Sequence, residues 1–210
     1  MTHSAEKIAE LQKKVQARLS ERRFNHTLRV MAAAEKIAGF TLPEAVSELR
    51  VAALLHDVTK ELADSEQLEI MNCASKSLDD LASPSIYHSL TAPEVIKRDF
   101  PEFATEAVLS AVYNHTTASP VMSLFDEIIF IADYIEDGRT YPSCVAVREA
   151  LYAAFAFAKD REECVAHLHN ATVSALDNTI TELVRAGKYL HVRTVLARNA
   201  FLGRRPVPIK

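Results

Sequence analysis

The apolar run Val51-Ala52-Ala53-Leu54-Leu55 leads directly into His56-Asp57, and any fold this chain adopts has to accommodate that junction. The five apolar residues belong in an interior. The imidazole and carboxylate that follow do not, because burying them costs on the order of several kcal/mol unless an opposite charge or a metal compensates. Two arrangements satisfy both demands: the pair is solvated at a helix end, or an apolar helix carries two metal-type ligands into the protein. The dipeptide alone favours the solvated helix end, since short motifs match by chance.

Only 4 of the 210 residues are glycine, and the prolines stand at apparent boundaries. Strands would need more turn punctuation and more β-branched alternation, so an all-α chain is expected. At 49% hydrophobic and 25% charged, one continuous core is expected. A single domain over 1–210 would then have its core at about 22–199 and a basic tail at 200–210. Within 1–20, Ile8, Leu11, Val15 and Leu19 recur at the spacing of an amphipathic helix. A formal charge of -4 and a pI near 6.1 leave no footprint for a nucleic-acid polymer. Cys73, Cys144 and Cys164 are odd in number and form no C-x-x-C pair, which argues against a disulfide framework or a thiolate metal site. Charges run through Met1 to Leu19 without an apolar signal region, and no stretch approaches the ~18 apolar residues of a membrane span. A cytoplasmic protein without a membrane partner is expected, and the sequence suits a homodimer as well as a monomer.

Local signals place the boundaries. Gly39 marks a helix stop, and Thr41-Leu42-Pro43-Glu44 reads as a capping box opening the helix that ends at His56-Asp57. Asp64 to Met71 reads as a helix followed by a polar loop to Leu81. Asp99-Phe100-Pro101-Glu102 opens a helix ending near His115, and Ser123 with Asp126 opens the apolar helix from Leu124 to Tyr134. On these elements sit the candidate ligands. His26 and Arg29 are one turn apart and share a helix face, where an imidazole could take a metal while a guanidinium holds a phosphate, or the two form a surface pair. Lys60 reads either as a pocket residue or as a solvated lysine favourable to a helix C-terminus. His88 and His115 stand at helix boundaries, where a histidine is commonly structural. Asp133 lies among Ile131, Ala132 and Ile135, costly company for a lone carboxylate.

Together His26, His56-Asp57, His88, His115 and Asp133 form the order H…HD…H…H…D, which resembles the HD-domain superfamily of metal-dependent phosphohydrolases. The blocks Arg23-Phe24-x-His26-x-x-Arg29-Val30, His56-Asp57-Val58-Thr59-Lys60, His115-Thr116-Thr117, Met122-Ser123, Ala132-Asp133-Tyr134-Ile135-Glu136 with Arg139, and Gly187-Lys188 leading to Thr194 and Ala197-Arg198-Asn199 narrow it. They are similar to the YqeK-type symmetrical diadenosine tetraphosphate hydrolases. The resemblance implies an all-helical HD bundle with two transition-metal ions, iron before manganese, zinc or nickel. It places His26, His56, Asp57 and Asp133 on the first ion, and His88 and His115 on the second with Asp57 bridging. His56, Asp57 and Lys60 would carry the chemistry. Arg29, Lys60, His88, His115 and Arg139 would border the polyphosphate, and Arg198 with Gly187-Lys188 the nucleoside end. Ala92-Pro93, Ala118, Tyr134 and Asp137 depart from the family's usual Gly-Ala, Gly, Lys and Pro.

The chemistry is consistent with that from below. Imidazole and carboxylate donors suit several first-row metals, and two ions ~3.5–4 Å apart can clamp both oxygens of a phosphoryl displacement. The expected partner is a small dinucleoside polyphosphate. An HD-type nucleotidase or phosphodiesterase, and a catalytically weak nucleotide sensor, are the alternatives; no Gly-Tyr-Pro follows the HD motif, which speaks against the cyclic-dinucleotide class.

Overall fold

The computed structural model describes residues 3–71 and 77–204; Cys73 and the tail from Arg205 to Lys210 lie outside them. The described residues form eleven α-helices and no strand: α1 (Ala5–Gln16), α2 (Glu21–Thr41), α3 (Val46–Leu55), α4 (Asp64–Met71), α5 (Leu78–Leu81), α6 (Tyr87–Asp99), α7 (Glu106–Asn114), α8 (Leu124–Ile135), α9 (Pro142–Phe157), α10 (Arg161–Arg185) and α11 (Val192–Arg204). None is long and apolar enough to cross a membrane. Side-chain caps start several of them. Ser4, Ser20, Thr105 and Asp160 each accept from a backbone N–H in the first turn of α1, α2, α7 and α10, and Ser123 with Asp126 closes the expected capping box of α8.

Where the structure departs from local expectation, burial decides. α2 runs through Gly39 to Thr41, because Ala38 and Thr41 are fully buried and the helix gains by continuing. The Thr41 hydroxyl donates back to the Ile37 carbonyl instead of capping the next helix, and α3 begins without a side-chain cap after a 3₁₀ turn at Pro43–Ala45. A second such turn at Pro101–Phe103 precedes α7, so Asp99 ends α6 rather than opening a helix. The polar stretch before Leu81 contains α5, held by a Ser77–Asp80 capping box. Ala92 and Pro93 lie inside α6, both buried. Ala118 adopts φ 59, the left-handed region, where an L side chain costs roughly 1–2 kcal/mol that glycine would avoid. Residues 200–204 belong to α11, since Phe201 is fully buried, while Arg204 donates to the carbonyls of Met122 and Pro120.

Two helices occupy the middle. In α3, Leu49, Val51, Ala52, Ala53, Leu54 and Leu55 are all 0% exposed, and in α8 so are Ile128, Ile129, Ile131 and Ala132. α8 is apolar nearly all round, the mark of an enclosed helix. α2 packs on both α3 and α8, α7 on α3 and α8, and α10 on α8, α9 and α11. Each fully buried leucine or isoleucine contributes about 1.5–3 kcal/mol, so the apolar bodies of α3 and α8 offset the burial of the polar groups at their C-terminal ends.

Candidate metal centre

Five helix ends converge on one point. His56 is the C-cap of α3 with Asp57 next, His115 is the C-cap of α7, and Asp133 lies in the last turn of α8. His26 comes from the second turn of α2 and His88 from the first turn of α6. Three of these ends are C-terminal, each carrying about half a negative charge, so the backbone itself favours a cation there.

Asp57 is the hub. Its Oδ2 lies 3.6 Å from Nε2 of His26 and 3.5 Å from Nε2 of His56, and its Oδ1 lies 3.4 Å and 3.7 Å from Nε2 of His88 and His115. Asp133 places Oδ1 3.1 Å from Nε2 of His26, and the Nε2 atoms of His88 and His115 are 3.1 Å apart. The other ring nitrogens are tied down. Nδ1 of His56 and of His115 each sit 2.6 Å from a backbone carbonyl, of Ala53 and Val112, and can only donate to it, which leaves Nε2 as an open lone pair. Nδ1 of His26 is 3.2 Å from Oε1 of Glu136.

This donor set fits a metal. Nε2 of His56 is buried without a hydrogen-bond partner in the protein, an expensive state that a cation would relieve, and Nε2 of His26 faces the oxygens of Asp133 and Asp57. His26, His56 and Asp133, and again His56, Asp57 and His115, bring one ligand atom each within 4.8 Å of one another. The electrostatics agree. Burial works against ionisation of Asp57 and Asp133. For Asp57 the charges and hydrogen bonds of His56, His115 and His88 prevail, and for Asp133 those of His26, Arg139 and His56, so both carboxyls are held well below the usual range. Burial likewise opposes charge on His26, yet its hydrogen bonds to Asp133 and Glu136 raise its pKa to about 9; a proton there meets the demand a metal would meet. Burial, Lys60 and the neighbouring imidazoles push His88 well below its ordinary value against the pull of Asp57.

The centre opens on two sides. A groove of about 400 Å³ is bordered by Arg22, Arg23, His26, Arg29, Glu136 and Arg139, and a smaller one of about 260 Å³ by Lys60, Gln67, Ser85 and His88. Arg139 donates to Asp133 at 2.8 Å, Arg29 to Glu136, and Lys60 places Nζ 3.1 Å from the His88 ring. Burial lowers the Lys60 pKa, with Arg23 and Arg139 adding to it against Asp57 and Asp133. Every candidate ligand and each of Arg29, Lys60 and Arg139 is therefore at this locus. Arg198 is elsewhere, donating to Asp177 of α10, and Gly187 takes φ 61 in the turn after α10; neither borders the two grooves.

Two residues had no role assigned from the sequence. Arg23 donates to Asp57 Oδ2 at 2.8 Å, supplying the compensating charge that the burial of Asp57 demands; its position three residues before His26 was the available signal. Glu136 touches His26 and Arg29 together, and its spacing of three from Asp133 is the corresponding signal.

Comparison with known proteins agrees with this geometry. A family model described as HD domain matches residues 23–138, a span holding all six candidate ligands and Glu136. A symmetrical bis(5'-nucleosyl)-tetraphosphatase of Halalkalibacterium halodurans is 29% identical over 90% of this chain and 93% of that protein. One of Staphylococcus aureus is 33% identical over 64% of this chain and 69% of its own length. The crystal structure of a "predicted HD superfamily hydrolase involved in NAD metabolism" from Clostridium acetobutylicum is 31% identical, with a TM-score of 0.79 over 98% of this chain and all of that one. With the domain match covering more than half of its length, this chain belongs to the HD domain family and, within it, to the group of symmetrical bis(5'-nucleosyl)-tetraphosphatases.

Proposed function

We propose that this enzyme hydrolyses dinucleoside polyphosphates, diadenosine tetraphosphate foremost, into two nucleoside diphosphates. One observation carries the reading: Asp57, ringed by four imidazoles, touches His26 of an arginine-lined groove through one oxygen and His88 of the Lys60 groove through the other. Two transition-metal ions are assigned to the cluster, iron before manganese, zinc or nickel, all of which these donors accept. His26, His56, Asp57 and Asp133 would hold one ion, and His88 and His115 the other with Asp57 shared. When bound, such a pair would supply a more acidic water and offset charge on the reacting phosphate oxygens.

The chain's own residues supply the rest. Arg29 and Arg139 neutralise phosphate charge in the larger groove, and Arg23 pairs with Asp57. Lys60 meets the phosphates on the opposite side, where it stabilises charge on the departing diphosphate. With the central linkage over Asp57, each groove takes one half of the substrate, which accounts for symmetrical cleavage. The purified protein, assayed against diadenosine tetraphosphate, nucleoside monophosphates and cyclic nucleotides with metal content measured alongside, should give ADP from the first at the highest kcat/KM. A preferred monophosphate or cyclic nucleotide would replace this reading with an HD-type nucleotidase or phosphodiesterase. Nucleotide binding without turnover under all of these metals would replace it with a sensor.

A further inference from the structure

Glu136 follows the last residue of α8, and its buried carboxylate faces two ways. Oε1 lies 3.2 Å from Nδ1 of His26. Oε2 accepts from Nε of Arg29 at 2.5 Å and from the Gly138 backbone N–H at 2.6 Å. One oxygen thus meets a candidate metal ligand and the other a candidate phosphate-binding guanidinium. His26 and Arg29 are neighbours on α2, whereas Glu136 arrives from 107 residues beyond Arg29. Gly138 completes the arrangement. A Cβ placed on it would stand 2.5 Å from Nε of Arg29, 2.6 Å from Nη2 and 2.7 Å from Cζ, closer than side-chain carbons approach, so the guanidinium can lie there only over a glycine.

We infer that Glu136 is a positioning residue that couples the two functions of the site: with Gly138 beneath Arg29, it aims Nε2 of His26 at the cation and the guanidinium of Arg29 at a substrate phosphate. The inference rests on the metal-dependent hydrolase reading. It accounts for the fixed place of Arg29, whose side chain is 40% exposed, beside the groove: a free arginine loses rotamer entropy when a phosphate immobilises it, and a pre-held one loses less. The carboxylate is specific to the task. In Glu136→Gln one oxygen becomes an amide NH2. If that group faces His26, Nδ1 must accept and Nε2 carries the proton, removing the lone pair a cation needs. If it faces Arg29 and Gly138, donors meet donors and the guanidinium is expelled.

Calorimetric titration of the full chain with Mn2+, and with ADP at saturating Mn2+, tests the coupling. Glu136→Gln should lose about 10–100-fold in Mn2+ affinity, the usual effect of removing a residue that orients a ligand, or about tenfold in ADP affinity, the worth of one charge-assisted hydrogen bond. Gly138→Ala, which displaces only the guanidinium, should lose the ADP affinity at unchanged Mn2+ affinity. Circular dichroism checks that each variant folds; should Gly138→Ala not fold, Arg29→Gln carries the same expectation. A Glu136→Gln protein with both affinities at wild-type values, or a folded Gly138→Ala or Arg29→Gln protein with wild-type ADP affinity, overturns the inference. Failure of the hydrolase reading would show separately, as no turnover of diadenosine tetraphosphate by the wild type.

Discussion

Replacing Asp57 by Asn should abolish cation binding while preserving side-chain shape. The attraction between Asp57 and Arg23, 2.8 Å apart, amounts to about 6 kcal/mol gross at an effective dielectric of 20. Desolvation offsets much of that, and the Arg23 side chain, 20% exposed, regains part of its hydration once the partner is gone. A net loss of about 2–3 kcal/mol is expected in metal-free protein, below the 3–5 kcal/mol of a fully enclosed pair. For a chain of this size 1 kcal/mol corresponds to about 2–4 °C, so the metal-free variant should melt about 4–12 °C below the wild type. Metal at a thousand times its Kd adds about 4 kcal/mol to the wild type, or about 8–16 °C on the same scale. In the variant that addition should vanish, together with hydrolysis, because the carboxylate proposed to be shared by the two ions is gone. Thermal denaturation with and without Mn2+, with metal content by mass spectrometry, reads both effects. A variant whose melting temperature still rises with metal as the wild type's does, or which retains metal and activity, would refute the reasoning.

Arg29→Ala should raise KM about tenfold at nearly unchanged kcat and metal content, as expected for one lost charge-assisted contact; unaltered steady-state kinetics would remove Arg29 from the groove. Glu127 of α8 is fully buried, accepts from Thr172 at 2.7 Å and lies 2.8 Å from Nδ1 of His169. Because Thr172 still reaches the Leu168 carbonyl, Glu127→Ala should cost about 3 kcal/mol, seen as a melting temperature lower by about 6–12 °C with metal content preserved. Asp99 is held at about 2 by its hydrogen bond to Arg98 and its pairing with Arg18, against about 3.9 when unfolded. Its depressed folded value means that the stabilisation is complete above roughly pH 4 and is lost as pH falls through about 2. Both arginines are more than a third exposed, so the effect is below about 1 kcal/mol. Chemical denaturation of Asp99→Asn should therefore show slightly lower stability at neutral pH and a shallower loss between pH 4 and 2; a wild-type acid profile would dissociate Asp99 from it.

The parts of the fold legible in the sequence are those governed by nearest neighbours along a helix. Ile8, Leu11 and Val15 face inward as their spacing required, and Ser123 with Asp126 starts α8, because periodicity and capping are decided within one or two turns. Gly39 and Thr41 misled for the opposite reason: whether a helix passes a glycine depends on what its far face packs against, and Ala38 and Thr41 are buried. Phe201 likewise draws residues 200–204 into α11, although their basic flank reads as a tail. At the site, the imidazoles and carboxylates and their places at helix ends were readable from residue type, together with Arg29 and Lys60 as cations near them; Arg139 came from the family resemblance.

Which atoms meet was not readable. The pairings that define the centre span 34 residues for Arg23 with Asp57, 110 for His26 with Glu136 and 107 for Arg29 with Glu136, and no local rule selects a partner at such distances. The sequence by itself determined an all-helical chain with metal-type ligands set at the ends of apolar helices. Only the tertiary structure decided that three helix C-termini and two N-terminal turns close on Asp57, with Arg23 and Glu136 completing the charge balance. Helix formation is settled by contacts within a few residues, whereas the compensation of a buried charge is settled by whichever distant groups the packed core brings within about 4 Å, where an ion pair is strong enough to matter.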